Sequence, residues 1–160
     1  MPGIKLLLLL VVALTNHQLK GQLLINEVVA VNDSGLSNPI TGEPGDWIEI
    51  YNGTAEAVDL VDYYLSDKLT DPVKWKFPAG TQLPSGAFQL VWADGTNSTT
   101  ACHTNFKLSA SGETVYLFEQ SGTLYDSLRF PQMQADISYG ISQDGSRLYF
   151  KYPTPGEFND

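Results

Sequence analysis

Along the chain, apolar-rich runs of five to nine residues alternate with clusters of Gly, Pro, Asn and Asp. The runs are LLINEVVA (23–30), DWIEIYN (46–52), VDLVDYYL (58–65), VKWKFP (73–78), AFQLVWA (87–93), ETVYLFEQ (113–120), TLYDSLRF (123–130), ADISYGI (135–141) and SRLYFKY (146–152). β-Branched and aromatic residues dominate them, and breaks recur about every ten residues, the spacing of short strands joined by turns. No window holds a helical period of useful length. The pattern therefore predicts an all-β fold, an antiparallel β-sandwich of about eight or nine strands.

The breaks carry turn chemistry. Ser121-Gly122 joins two runs as a short hairpin loop would, and Asp144-Gly145 supplies a positive-φ residue between 135–141 and 146–152. Within DWIEIYN, Ile48 and Ile50 share one face and Trp47, Glu49 and Tyr51 the other, so the isoleucines are expected in the core. The stretch FPAGTQLPSGAFQLVWADG (77–95) resembles at first sight a ligand-cradling glycine loop. A phosphate loop, however, gathers its glycines at a helix N-terminus, often with a lysine after them. Here they are spread over two turns: Pro78 ends one strand, Pro84-Ser85-Gly86 turns the chain, and AFQLVWA begins another.

One run does not fit the sandwich. Leu6 to Leu14 is unbroken apolar, preceded by Lys5 and followed by a polar stretch ending in Gly21. That order reads as a secretory signal peptide over residues 1–21, with Gln22 first in the mature chain and one domain over 22–160. At ~1.5 Å per residue the apolar core spans about half of a ~30 Å hydrocarbon layer, so a permanent membrane helix is not expected.

Charge and cysteine usage narrow the partners. Lys5 and Lys20 lie in the signal and all eighteen acidic residues follow it, leaving seven basic residues and a net charge of −11. Such a field repels phosphate backbones, which excludes nucleic acid as an expected partner. Cys102 is the only cysteine, so no internal disulfide supports the fold, and none stands near the signal's end where a lipid anchor would require it.

Several segments together carry a family resemblance. Phe77-Pro78, Gly80-Thr81, Leu83, Gly86 and Trp92-Ala93 form an FPxGTxLxxGxxxxxWA pattern, which resembles the lamin tail domain, an immunoglobulin-like family that also occurs in secreted bacterial proteins. Asn26-Glu27-Val28, the strand WIEIYN (47–52), His103 to Leu108 leading to Gly112-Glu113, and Pro153-Thr154-Pro155-Gly156 are similar to further segments of the secreted bacterial branch. The resemblance runs from about residue 23 to 159 and implies an immunoglobulin-like sandwich. It implies no catalytic constellation, and fold alone does not give function.

Candidate chemistry is sparse. His103 is the only histidine beyond the signal, and on an extended segment its neighbour Cys102 points to the opposite face, so the two do not form a nucleophile–base pair. The expected role of His103 is a ring hydrogen bond to a loop backbone. Asp59, Asp62, Asp67 and Asp71 fall close together, and Asp94-Gly95-Thr96-Asn97 offers oxygens that suit calcium, but neither has EF-hand spacing, and solvated carboxylates explain both. No sugar-cleft signature accompanies a glycosidase-like Glu/Asp pair. Of the aromatics, Trp47, Tyr51, Tyr63, Tyr64, Trp75 and Trp92 are candidates for a binding face, but most of them are expected in the core; Trp75, and Trp92 at strand spacing from Leu90, are expected against the inner sheet faces, and Tyr63 and Tyr64 must point to opposite sides.

No catalytic, cofactor-binding or metal residue is therefore assigned, and no cofactor or enzymatic activity is expected. The sequence reads as a non-catalytic interaction module of a secreted or cell-surface-associated protein, engaging an extracellular protein or polysaccharide in adhesion or in targeting a neighbouring activity. The alternatives are a calcium-dependent carbohydrate-binding domain and an accessory domain of a larger secreted hydrolase, with further domains beyond residue 160. No integral membrane segment is expected once the signal is cleaved.

Overall fold

A computed structural model describes residues 21–98 and 101–160; the signal peptide expected over 1–21 lies outside the described residues, Gly21 excepted. Eleven strands follow one another: β1 (Leu23–Val29), β2 (Trp47–Asn52), β3 (Val58–Asp59), β4 (Tyr63–Ser66), β5 (Trp75–Lys76), β6 (Gln82–Leu83), β7 (Phe88–Trp92), β8 (Glu113–Glu119), β9 (Leu124–Phe130), β10 (Ser138–Ile141) and β11 (Arg147–Phe150). One sheet has the order β11-β10-β1-β2-β7, a second β5-β4-β8-β9, and β3 pairs with β6 in a small third. Every strand pairing is antiparallel, as the run pattern predicts, and the sheets form the immunoglobulin-like sandwich that the family resemblance implies.

The count exceeds eight or nine because local hydrogen bonding cuts one run in two and a further short strand forms inside a break. In VDLVDYYL, the Asp59 carboxylate accepts from the Val61 amide and turns Leu60–Asp62 into a single 3-10 turn, leaving β3 and β4 on either side. Between the two turns of 77–87, Gln82–Leu83 is just long enough to pair with β3. Those turns are punctuation: Thr81 N donates to Pro78 O, Ala87 N to Pro84 O, and Gly80 and Gly86 hold the left-handed backbone at φ 81° and 73°.

Ile25, Val28, Ile48, Ile50 and Val91 of the first sheet meet Leu65, Val115, Leu117 and Leu128 of the second, all fully buried. The isoleucines of β2 thus face the core as their alternation predicts. The other face of β2 is the surprise. Trp47, Glu49 and Tyr51 are buried as well, because the last segment of the chain crosses back over the outside of the first sheet. Asn159 forms a bridge with Ser142 and sends its Nδ2 to the carbonyls of Asn26 and Ile141. Phe158 packs edge-on against Tyr51 at 5.0 Å and Phe88 at 5.3 Å. This strap gives the first sheet two covered faces.

Candidate functional site

Three places concentrate polar chemistry or exposed apolar surface: a histidine node at the end of β7, a carboxylate pair under the strap, and a cleft beside it.

At the histidine node, the chain after β7 turns at Asp94 and returns so that His103 pairs in parallel with Trp92. His103 is 2% exposed, its ring stacks on Trp92 with centroids 6.4 Å apart, and its Nδ1 lies 2.6 Å from Asp94 Oδ2. The expected backbone partner is thus replaced by a carboxylate nine residues away. Sequence separation hid the contact, since only the turn at Gly95 (φ 77°) brings the two together. Asp94 Oδ2 also accepts from Asn38 Nδ2 at 2.8 Å and its Oδ1 from the Thr96 amide at 2.9 Å. Burial pushes the Asp94 carboxyl up, but the bonds from His103, Thr96 and Asn38 together outweigh it and hold it below the ordinary range.

A histidine–carboxylate bond is half of a catalytic triad, but its geometry here is structural. The ring is enclosed, and Cys102 does not share its environment: the thiol packs toward the main core and meets the Thr81 side chain, and burial pushes its pKa up, away from the thiolate a nucleophile needs. What the node does is tie the 37–45 loop, through Asn38, to the loop that follows β7. Trp92 belongs with it. Rather than facing the inter-sheet core, it forms a separate outer cluster with Val29 and Trp47, because alternation along β7 gives the inner face to Val91.

Beneath the strap, Glu27 and Glu49 are directly opposed across β1 and β2, both fully buried. A register slip between Ile25 and Glu27 makes Asn26 a bulged residue, and its Nδ2 donates to Glu49 Oε1 at 2.9 Å while its Oδ1 has no partner. The strap supplies backbone donors: Gly156 N lies 2.6 Å from Glu49 Oε2, and Thr154 N 3.3 Å from both oxygens of Glu27. Burial raises each carboxyl to about 7, an effect these bonds only partly offset; the charge of Glu27 raises Glu49 further. The composition of the strands hid this pair, since a glutamate on an outer face reads as solvated; INEV, WIEIYN and PTPG each held one part of it.

The cleft, about 410 Å³, opens where the strap begins and is lined by Leu36, Trp47, Tyr152, Pro153 and Pro155, with Lys151 at its rim. Tyr152 is 72% exposed there. Of the aromatics singled out in the sequence, only Trp47 reaches this surface. Trp75 is in the main core against Phe77, as expected; Tyr63 packs edge-on with Tyr125 and Tyr64 lies under Lys76, the expected split.

The four aspartates of 59–71 do not converge. Asp59 caps the 3-10 turn and Asp67 pairs with Lys74 at 2.5 Å, and among the described residues no three His, Cys, Asp or Glu side chains gather as a metal site. No helix among them is long and apolar enough to cross a membrane.

A family model described as Lamin Tail Domain matches residues 16–132, from ahead of β1 to just beyond β9. It stops short of β10, β11 and the strap. Neither the curated proteins nor the solved structures compared with the chain contain a match.

Proposed function

The chain belongs to the lamin tail domain family, and from that premise we propose that it is a non-catalytic interaction module of a secreted or cell-surface-associated protein, acting in adhesion or in targeting a neighbouring activity to an extracellular polymer or partner. The family is an immunoglobulin-like interaction domain. The observation that carries the reading on this chain is the cleft beside the strap: an exposed tyrosine, two prolines and a leucine against a buried tryptophan, with Lys151 and Asp136 also in its lining. Flat rings and prolines give contact area at small entropic cost, the property of a recognition surface. The groups from which an enzyme would be built, His103, Asp94, Glu27 and Glu49, are spent on internal bonds. The calcium-dependent alternative has no comparable support, since both oxygens of Asp94 already accept protein donors.

The purified protein is to be tested for co-sedimentation with insoluble cellulose, chitin and peptidoglycan and for binding to intact cells, beside Tyr152→Ala. The reading expects retention on at least one of these surfaces, weakened tenfold or more in Tyr152→Ala at an unchanged melting temperature. Retention on none, or retention indifferent to Tyr152, overturns it.

A further inference from the structure

The strap of residues 153–159 is held by two kinds of contact. Asn159 Nδ2 binds the Asn26 and Ile141 carbonyls, and the Thr154 hydroxyl binds Asn159 Oδ1 at 2.9 Å; these contacts do not titrate. The amides of Thr154 and Gly156, by contrast, end on Glu27 and Glu49. Among the described residues, the two carboxylates are the only charged groups enclosed between strap and sheet. On β10, the residue beside Glu27 is Gly140; on β7, the residue beside Glu49 is Leu90. Arg147 on β11, Lys151 before the strap, and Glu157 and Asp160 near its end are all exposed, and none contributes to the shift of either carboxyl. Among the described residues no cation compensates the pair. The cluster is also short of a donor, since Asn26 Oδ1 is buried without one.

We propose that the strap is a proton-controlled latch: a proton on the Glu27/Glu49 pair keeps it closed over the first sheet, and loss of that proton releases it. Two like charges opposed across adjacent strands in a fully buried layer repel and have lost their hydration, which costs more than the hydrogen bonds from the strap amides and the neighbouring side chains return. Lifting the strap readmits water and restores the ordinary carboxyl behaviour, so opening is favoured by ionisation and closure by protonation. The closed form carries carboxyls near 7 where the open form has them near 4.5. The strap is therefore closed below about pH 4.5 and loosens as pH rises through 7. Pro153 and Pro155 are at once latch and cleft wall, so release also reshapes the cleft.

Amide hydrogen exchange on the full chain, expressed as protection factors between pH 5 and pH 8.5, tests this without reference to any ligand. Protection of Thr154 and Gly156 is expected to fall at least tenfold over that range, while that of Val115 and Leu117 in β8 stays level. In Glu27→Gln/Glu49→Gln the strap's protection is expected to be independent of pH. A flat profile in the wild type, or a pH dependence that survives in the double variant, overturns the latch. Should the double variant fail to fold, carbon-13 titration of the two carboxyls in the wild type decides: midpoints near 7 sustain the proposal, and midpoints near 4.5 refute it.

Discussion

Asp94 Oδ2 joins the His103 ring and the Asn38 side chain at one atom, 2.6 Å from Nδ1 and 2.8 Å from Nδ2. Removing that carboxylate strands two buried donors at once. Asp94→Ala is therefore expected to destabilise the protein by about 2–4 kcal/mol, one unsatisfied-group penalty of ~1–3 kcal/mol for the imidazole and a smaller one for the amide. Urea unfolding measures it; a loss under about 0.5 kcal/mol would show that the node bears no load.

His103→Ala removes the other partner. The enclosed ring does not line the cleft beside the strap, so ligand retention is expected to stay within about threefold of wild type once corrected for the folded fraction. Hydrolysis of ester, peptide, glycoside or phosphodiester substrates is expected to be absent from wild type and variant alike. Turnover that disappears in His103→Ala at constant melting temperature would make the 101–106 loop an active site.

Trp92 is 6% exposed in the outer cluster with Val29 and Trp47. Trp92→Ala is expected to cost about 3–5 kcal/mol, the range for emptying a large aromatic site, out of the ~5–15 kcal/mol that a domain of this size has. Chemical denaturation checks it, and a loss below roughly 1 kcal/mol would place Trp92 at the surface.

Gly140 lies under the strap: a Cβ there would meet the Asn26 carbonyl at 2.5 Å and Asn159 Nδ2 at 2.7 Å. Gly140→Ala is expected to displace the strap, losing about 1–3 kcal/mol and the exchange protection of Gly156. Gly80→Ala is the contrast. Its Cβ has open space, but φ is 81°, so it loses only the left-handed backbone penalty of about 1–2 kcal/mol and leaves the strap intact.

The pH profile of thermal stability follows from carboxylates shifted in opposite directions. Glu27 and Glu49, raised to about 7, contribute stability that is full below their unfolded value of 4.5 and lost as pH rises through 7. Asp94, lowered, contributes stability present above its unfolded value of 3.8 and lost as pH falls beneath it. Melting temperature is thus expected to peak between about pH 4 and 5, with an alkaline decline that Glu27→Gln/Glu49→Gln lessens but, with Asp46 and Glu113 also raised by burial, does not remove. A maximum at pH 7 or above contradicts this.

Period-two alternation made the sandwich legible, and it placed Ile48 and Ile50 correctly, because each strand's inner face is a local property of its own residues. The outer face of β2 was not legible. Glu49 reads as a solvent position until a segment about a hundred residues further on covers it, and nothing in a strand's own pattern records that. The same holds for Asp94 and His103, joined by a turn whose closure no periodicity encodes. Trp92 shows a subtler failure: expected against an inner sheet face, it lies with Leu90 on the outer one, and the inner position is Val91.

β1 sits in the middle of its sheet, with β2 on one edge and β10 on the other. The first partner follows it closely in sequence, whereas the second arrives roughly a hundred residues later, as does the strap. A chain emerging from a ribosome or a translocation pore must therefore hold a strand whose every residue ends up buried with one edge open until β10 is out. Such a topology folds late and slowly, which keeps a chain threadable through a narrow channel. It also leaves β1 as the point where interrupted or shortened chains would pair with one another.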